Sequence, residues 1–406
     1  SMERRTFLKL SGSAVAAASL ARPAVAQAAT VRWWYHFDNP QNSPAELIAK
    51  FEKDNPGIKV QAEAIPWGGG NDYATRLFAS LVAGNGPDCA QVKLNNHARL
   101  LEMDALAPLD DFLKGWAGRS DIADAIWSLN KAKDGKQYYL PLHYVVLYLY
   151  YRKDLFDAAG LQPPKTHDEF LAAAKALTKD GIFGFGMRGG GGGQDNWGPF
   201  VLGGGANFSK GGMVSDKALA ANRFYVSLFK DHKVSPPSAP TDGFRQIVDG
   251  FKAGRSAMII HHIGSSNEMV QALGDKVSAV PVPQKPGEKG WTIFGDESNA
   301  VFSASKNKEA AFKWIAFLST GENNAALARL SGQLPIANAA AAKWEGHQKR
   351  FVDASVASQP MAAVLPDSPK TADFASTVWP QNMQRALLGQ ISPDDMMKAI
   401  ETHFNG

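Results

Sequence analysis

Polar and aromatic side chains follow several predicted strands, at positions where an α/β protein presents side chains to a cleft. The residues concerned are His36, Asp38, Trp67, Asp72, Asn95, Asn96, His143, Trp197, His262, Ser265, Asp296, Glu297 and Gln333. Flat aromatic rings pack against the apolar C–H face of a polyhydroxylated molecule, and planar polar groups bind its hydroxyls in pairs. This set of residue types therefore predicts a site for a carbohydrate-like ligand, with these residues as substrate-binding candidates.

Some of these residues have an alternative structural role. A tryptophan is more often a core residue than a ligand platform, and neighbouring glycines leave both roles open for Trp67 and Trp197. His143 lies within an apolar strand and could equally be a buried, hydrogen-bonded core residue. Asp72 could simply cap the helix that follows it. Asp38 precedes Asn39-Pro40, which does not begin a helix, so ligand contact is favoured there.

Motifs for catalysis are absent from the sequence. It contains no G-x-S-x-G, no H-E-x-x-H and no P-loop lysine motif. Gly184-x-Gly186-x-x-Gly189 matches the dinucleotide pattern, but polyglycine follows it where a helix is required. A secreted carbohydrate-active enzyme remains an alternative, because Asp296 and Glu297 could serve a glycosidase if two carboxyls faced each other across a bond. The sequence predicts a protein that is not an enzyme.

A metal site is a weaker alternative. His261 and His262 are neighbours in sequence, and adjacent residues on a strand point to opposite faces, so they make a poor ligand pair. The same argument applies to Tyr150 and Tyr151, the tyrosines that an exported iron-binding protein would need. No metal and no other cofactor is predicted.

The elements that must position these residues are organised around the stretch from Tyr138 to Phe156. Its run of β-branched, leucine and aromatic residues predicts a strand buried on both faces, leading into a helix start. The residues before it suffice for one βαβ-type lobe, and 406 residues exceed one ordinary core. We therefore interpret the stretch as a crossing from a first lobe to a second, with a cleft between them.

The order of the remaining elements predicts two α/β lobes. In the first, strands at 30–37, 58–64 and 88–94 alternate with helices, which favours a largely parallel sheet. In the second, a helix begins after Thr166, the glycine-rich stretch 184–212 is interpreted as a loop, and 257–261 is a short strand. A second crossing is predicted at 277–283 and a returning strand at 300–303, followed by helices to the end.

The first residues predict export from the cytoplasm. Arg4 and Arg5 precede a short apolar run and small residues typical of a cleavage site, so residues 1–28 resemble a twin-arginine signal peptide. Together with Lys9, Arg22 and Glu3, these arginines contribute +3 of the formal charge of +4, and the rest is nearly neutral, which gives nucleic-acid binding no electrostatic support. The single cysteine allows no internal disulfide. We expect the periplasm as location.

Six short segments, in order along nearly the whole chain, carry a resemblance to a known family. They are 51–60 (FEKDNPGIKV), 81–88 (LVAGNGPD), 109–112 (LDDF), 149–156 (LYYRKDLF), 254–258 (GRSAM) and 305–311 (SKNKEAA). In their order and spacing they resemble the extracytoplasmic solute-binding proteins of ABC importers, the group that includes the maltose- and glycerol-phosphate-type binding proteins.

The resemblance implies a periplasmic-binding-protein fold, two α/β lobes joined by a multi-strand hinge with a ligand cleft between them. It implies an N-terminal lobe of 29–136 and 284–334 and a C-terminal lobe of 137–283 and 335–406. The implied function is capture of a carbohydrate or carbohydrate derivative by cleft closure and delivery to ABC permease subunits, by a monomer. Members often carry a tryptophan where this chain has Gly264-Ser265-Ser266, which opens the alternative of a polyol phosphate or another anion.

Overall fold

The structure, a computed structural model, describes residues 28–37, 41–67 and 71–406. The predicted signal peptide and Asp38 therefore lie outside the described residues, apart from residue 28. The strands are β1 Ala29–Tyr35, β2 Ile58–Ala64, β3 Cys89–Val92, β4 Tyr139–Val146, β5 Tyr148–Arg152, β6 Met258–His261, β7 Val277–Val280, β8 Thr292–Val301, β9 Leu334–Pro335 and β10 Ala362–Ala363.

Helices separate and cover these strands. They are α1 Ala45–Asp54, α2 Asn71–Val82, α3 His97–Glu102, α4 Asp110–Lys114, α5 Asp124–Leu129, α6 Lys153–Ala158, α7 His167–Leu177, α8 Gln194–Val201, α9 Asp216–Lys230, α10 Phe244–Lys252, α11 Ser266–Leu273, α12 Lys308–Leu318, α13 Gly321–Ser331, α14 Asn338–Ala341, α15 Lys349–Ser358, α16 Thr371–Asp373, α17 Trp379–Leu387 and α18 Pro393–Asn405. A 3-10 turn at Leu94–Asn96 follows β3, and a π-helical turn at Phe374–Val378 follows α16.

The strands form two sheets. The first has the order β2-β1-β3-β8-β4-β9, with β10 paired to β8, and the second has the order β6-β5-β7. β1 is parallel to β2 and β3, as the strand-helix alternation predicts, whereas β8 runs antiparallel to both β3 and β4. The predicted α/β class is confirmed, and the first sheet is mixed because β8, which returns from the second sheet, runs antiparallel to its neighbours.

Each sheet is buried on both faces. Trp33 and Trp34 are neighbours on β1 and enter two different hydrophobic clusters, because successive strand residues point to opposite faces. On β5, Tyr150 packs under α10 and α15, while Leu149 joins a large cluster with α7, α9 and α17. Helices therefore cover both faces of each sheet, which explains the nearly continuous apolar runs in the central strands.

The long apolar stretch predicted as one crossing strand consists of two strands. β4 belongs to the first sheet and β5 to the second, and Leu147 between them belongs to neither. The Leu147 carbonyl accepts a hydrogen bond from the Thr292 hydroxyl at 2.7 Å, and Thr292 begins the strand that returns to the first sheet. The hydrogen bond thus joins the two places where the chain crosses between the sheets, at Leu147 and at Thr292, as expected for a hinge of several strands.

A proline interrupts the pairing of β4 just before the crossing. The register with β8 shifts between Pro141 and His143, since a proline cannot donate to the sheet. The carbonyls released there accept from the Ser319 hydroxyl at 2.7 Å and from the Asn324 amide at 2.6 Å. The connection between α12 and α13 is thereby fixed to the strand that leads into the second sheet.

The glycine-rich stretch 184–212 was predicted to be a loop, but it contains the helix α8. Trp197 and Phe200 are on this helix and are fully buried. Helix formation there was hidden by the glycines and by Pro199, which local propensity disfavours and tertiary packing tolerates.

The predicted boundaries between the two lobes stay a prediction, and the packing of the helices and the pairing of β4 are relevant to them. α12 and α13 pack on the first sheet, and α15, α17 and α18 pack on the second sheet and its helices. β4, which a boundary at residue 137 assigns to the second lobe, is hydrogen-bonded within the first sheet. Among the described residues no helix is long and apolar enough to cross a bilayer.

Candidate functional site

A cavity of about 230 Å³ lies between the two sheets. Its lining comes from the ends of β1 and β3, the middle of β8, the end of β6, the start of α8 and the segment 364–376. Both sheets therefore contribute side chains to one space. Such a crevice, at the carboxyl ends of parallel strands, is where α/β proteins bind small ligands.

The first wall is organised around the carboxylate of Glu297. This side chain is 1% exposed, and its two oxygens lie 3.0 Å from Lys93 Nζ and 3.3 Å from His36 Nε2. Burial alone would raise the pKa of Glu297, but the charges of Lys93 and His36 outweigh it and hold this pKa well below the ordinary value. Glu297 is therefore ionised across the neutral range and links two side chains of the cavity.

Strand register explains this meeting. β1 and β3 are parallel neighbours, and His36 and Lys93 directly follow their last residues. The two side chains therefore lie at the same edge of the sheet. β8 runs antiparallel to β3 with Ser298 opposite Val92, which puts Glu297 beside Lys93. Residues separated by more than 200 positions thus form one ion-paired group.

The indole of Trp67 rests on this ion-paired group. Its ring stacks on the His36 imidazole with 4.3 Å between centroids, and the Lys93 ammonium lies 4.4 Å from its centroid. Both contacts depend on partners that Glu297 binds, so Glu297 fixes Trp67 at the cavity without touching it. A stacked cation of this kind contributes about 0.5–2 kcal/mol.

The opposite wall carries a second pair of charges. Arg188 and Asp195 both line the cavity at the two ends of the glycine run, and the Arg188 Nε donates to the Gly191 carbonyl at 2.9 Å. Burial raises the pKa of Asp195 to about 6, against the opposing charge of Arg188. The wall therefore offers a guanidinium and a carboxyl to a ligand.

Gly192 fixes where the guanidinium lies. Its φ of +83° is a left-handed conformation that favours glycine, and a Cβ there would collide with the Arg188 guanidinium. We predict that Gly192→Ala displaces Arg188 and weakens ligand binding about tenfold, at a cost of about 1 kcal/mol in stability from backbone strain.

Gly191→Ala is the matched control for this prediction. A Cβ at Gly191 meets no atom within 4 Å, so this variant keeps both affinity and stability. Calorimetric titration with the bound solute, together with thermal unfolding of both variants, makes the comparison. Equal affinities of the two variants would contradict a role for the Arg188 position.

Two histidines lie beside this wall. His261 and His262 both line the cavity, with 4.1 Å between their ring centroids, so the expectation that they face opposite ways is wrong. β6 ends at His261, and His262 already belongs to the following turn, where strand alternation no longer applies. Burial lowers the pKa of His262 to about 3, helped by the charges of Lys93 and Arg188.

The tautomer of His262 follows from its backbone contact. Its Nδ1 accepts a hydrogen bond from the Gly264 amide at 2.9 Å, so the proton of the neutral ring is on Nε2. His262 therefore brings a donor to the cavity, while Phe244, which stacks on His261 with 5.8 Å between centroids, brings an apolar ring.

Asp296 is the most unusual carboxyl of the cavity. It is 3% exposed, its Oδ2 accepts from the Ser298 hydroxyl at 2.6 Å, and its Oδ1 has no partner among the described residues. Burial is the main cause that raises the pKa of Asp296 to about 7; the bond from Ser298 partly offsets it and the charge of Glu297 adds to it.

Three more buried oxygens around the cavity lack a donor. The amide oxygens of Asn95, Gln194 and Gln333 have no hydrogen-bond partner in the described part of the chain. A buried polar atom left unpaired costs about 1–3 kcal/mol. These acceptors therefore favour a ligand that brings several hydrogen-bond donors.

The structure brings most of the predicted site residues together. His36, Trp67, Asn95, Asn96, His262, Asp296, Glu297 and Gln333 all line the cavity. Strand ends and loops supply the first five, as the sequence argument requires, whereas Asp296 and Glu297 lie in the middle of β8, where no strand was predicted. Whether each of them contacts a ligand stays a prediction.

The other predicted residues lie elsewhere. Trp197 is in the core of the second sheet's helices, Asp72 is exposed in the first turn of α2, and Ser265 is buried with its hydroxyl 3.1 Å from His261 Nε2. His143 is buried behind Glu297, its cross-strand neighbour, with Nδ1 3.1 Å from the Ser331 hydroxyl. Asp38 lies outside the described residues.

Some residues that line the cavity were not among the predicted site residues. Lys93 directly precedes Leu94 at the end of β3, so the strand-end rule itself could have found it. Arg188 and Asp195 flank a glycine run, a weaker signal. The segment 364–376 contributes Val364, Leu365, Ala372, Ala375 and Ser376, whose small or apolar types carry no binding signal at all.

The described residues contain no group of three or more histidine, cysteine, aspartate or glutamate side chains that could hold a metal ion. Tyr150, one of the tyrosines considered for iron, is buried and donates its hydroxyl to the His262 carbonyl at 2.7 Å. The arrangement found here offers a ligand hydrogen-bonding groups, charges and rings.

Comparison with known proteins agrees with this geometry. The family described as bacterial extracellular solute-binding proteins matches residues 38–325. A protein of Brucella abortus named as a binding protein is 27% identical, covering 87% of this chain and 86% of its own. The diacetylchitobiose binding protein of Streptomyces coelicolor is 26% identical, covering 92% and 88% respectively.

A solved structure is similar over almost the whole fold. The ABC transporter solute-binding protein of Thermotoga lettingae, determined with bound α-D-tagatose, has a TM-score of 0.80 and 25% identity. The similarity covers 93% of this chain and 99% of that one. The fold is thus that of a solved solute-binding protein.

Proposed function

Because the chain belongs to the family of bacterial extracellular solute-binding proteins, we propose that it captures a carbohydrate or carbohydrate derivative outside the cytoplasm and delivers it to an ABC permease. The observation that carries the proposal is the cavity itself, whose lining includes four side chains with a buried oxygen that lacks a donor, together with aromatic rings and the imidazole of His262. A polyhydroxylated ligand supplies the missing donors and accepts from His262 and Arg188.

Relatives point to the same ligand class. The Streptomyces coelicolor relative is named for diacetylchitobiose, and the Thermotoga lettingae structure holds α-D-tagatose. The cavity of about 230 Å³ is smaller than most small-molecule pockets, which measure about 300–1,000 Å³, and this favours a small saccharide over a long chain.

The proposed mechanism is binding without chemistry. The two walls of the cavity belong to different sheets joined by crossings such as Leu147, so the walls can approach each other by a hinge motion. The ligand binds better where both walls reach it, and this difference in affinity drives closure. A solute lacking one hydroxyl leaves a buried acceptor unpaired, which gives selectivity of about 1–3 kcal/mol per group.

Mass spectrometry of the co-purified solute, followed by a thermal-shift screen of saccharides, polyols and polyol phosphates, tests this proposal. We expect one saccharide class to raise the unfolding temperature at micromolar concentration and to be recovered unchanged after incubation. Recovery of a cleaved product would instead support the carbohydrate-active enzyme. A shift that a chelator abolishes would support the metal-binding alternative, and a shift only with phosphates would overturn the carbohydrate assignment.

A further inference from the structure

The three carboxyls of the cavity differ in what the protein provides for their charge. Glu297 is paired with Lys93 at 3.0 Å and lies 3.3 Å from His36. Asp195 has the opposing charge of Arg188 near it. Asp296 accepts from the Ser298 hydroxyl at 2.6 Å and has the amide of Asn130 beside it; the charge of Lys93, which pairs with Glu297, also acts on it, but no described lysine or arginine forms an ion pair with Asp296.

Burying a carboxylate without a counter-charge is expensive, and an asparagine would fill the same volume without that cost. Asp296 is 3% exposed, and its unpartnered Oδ1 belongs to a side chain that lines the cavity. Its neighbour Glu297 carries a full negative charge, which increases the cost further. A cation in the cavity would supply the close counter-charge that ionised Asp296 does not have within the described part of the chain.

The count of donors and acceptors leads to the same conclusion. Besides Asp296, the amide oxygens of Asn95, Gln194 and Gln333 are buried without a donor. An ammonium group donates three hydrogen bonds and accepts none, whereas a hydroxyl donates one and needs donors in return. A ligand with an ammonium group therefore satisfies more of this cavity than its neutral counterpart.

We propose that the solute of this protein is an amino-bearing carbohydrate, and that Asp296 is the residue that selects its positively charged nitrogen. The inference rests on the proposed function, since it names the ligand class of the same cavity. The nitrogen lies against Asp296 Oδ1, and the sugar hydroxyls meet the amide oxygens and His262.

The test compares matched ligands. Calorimetric titrations use D-glucosamine with D-glucose, D-galactosamine with D-galactose, and the β-1,4-linked glucosamine disaccharide with cellobiose, together with the N-acetylated forms, which have no charge. We expect at least one amine to bind ten or more times more tightly than its hydroxyl partner and its N-acetyl form. Asp296→Asn should abolish this preference, and Asp157→Asn, which changes an exposed carboxylate on α6, should preserve it.

The wild-type protein provides a second readout that does not depend on any variant folding. The charged ligand requires ionised Asp296, whose pKa is about 7 without ligand, so affinity for the amine should fall about 20-fold from pH 7.5 to pH 5.5. Over this range Glu297 stays ionised and Tyr139 stays protonated, because their pKa values are shifted away from it. Asp195 also titrates between pH 5.5 and pH 7.5. The decisive quantity is therefore the part of the pH dependence of affinity that disappears in Asp296→Asn.

The outcomes separate the two proposals. Neutral sugars that bind as tightly as the amines, or a preference that survives Asp296→Asn, would overturn this inference and leave the carbohydrate function standing. Binding of neither series would overturn this inference, and the screen of saccharides, polyols and polyol phosphates then decides the carbohydrate function separately. An amine preference that disappears in Asp296→Asn and weakens on acidification is the supporting result.

Discussion

Glu297→Gln should weaken solute binding about 30-fold and lower the free energy of unfolding by about 2–3 kcal/mol. The glutamine keeps the shape of the side chain but removes the negative charge between Lys93 and His36. Lys93 then loses the charge of Glu297 at 3.0 Å, and the contacts that position Trp67 loosen. The stability estimate is at the low end for a buried pair because the Lys93 side chain is 28% exposed.

A surface pair provides the control for this prediction. Glu288 pairs with Lys217 at 2.6 Å, where the lysine is 70% exposed, so Glu288→Gln should change stability by about 0–1 kcal/mol and leave affinity unchanged. Titration calorimetry and denaturant unfolding measure both variants. Wild-type affinity in Glu297→Gln would show that the cavity does not use this charge.

The same variant should change the acid side of the stability curve. The folded-state pKa of Glu297 is lowered from its ordinary 4.5, so its contribution is present above that pH and is lost as the pH falls below it. Glu297→Gln should therefore unfold with a shallower pH dependence below pH 4.5. The double variant with Lys93→Met removes both partners, and recovery of stability relative to Glu297→Gln would confirm that the lost pairing of Lys93 with Glu297 was the cause.

Trp197→Ala should cost about 3–5 kcal/mol of stability, the largest single effect that we expect from a predicted site residue. The indole is fully buried in the second sheet's core, donates its Nε1 proton to Asn222 Oδ1 at 2.8 Å and packs edge-on against Trp379. Alanine leaves a cavity and an unpaired amide oxygen. Denaturant unfolding monitored by circular dichroism measures the loss.

Trp67→Ala is the contrasting variant. Trp67 is half-buried at the cavity, so its removal should cost about 1 kcal/mol in stability but weaken solute binding about tenfold or more. The two tryptophans both have glycine neighbours in sequence, and only their positions in the folded chain, one in the core and one at the cavity, distinguish their roles. A Trp197 variant that keeps full stability but loses binding would contradict its core position.

The sequence predicted the fold class because burial on both faces leaves a clear pattern. The apolar run from Tyr138 to Phe156 could only be a buried strand at a crossing, although its break at Leu147 was invisible, since leucine fits a strand as well as a hinge. The helix of residues 194–201 was missed because glycines and Pro199 oppose it locally and its packing outweighs them.

The candidate site was predictable in part for a related reason. Parallel strands bring their carboxyl ends to one edge, so His36, Asn95 and Asn96 could be placed near each other from the strand order alone. The sequence could not separate Trp67 from Trp197, because the same residue type with the same neighbours suits a cavity or a core. Nor could it find the segment 364–376, whose residue types carry no chemistry.

Composition, periodicity and short motifs were enough to predict two α/β units with a polar cleft between them, and the sequence contains none of the catalytic motifs considered. Only the tertiary structure decided which charges are paired. Glu297 and Asp296 are adjacent in sequence, yet β8 puts Glu297 in an ion pair with Lys93, whereas the hydrogen bond that Asp296 accepts comes from the uncharged Ser298 hydroxyl. The physical reason is that a counter-charge stabilises a buried carboxylate only at a separation of a few ångströms. That separation is determined by which strands pair in the sheet, and not by distance along the sequence.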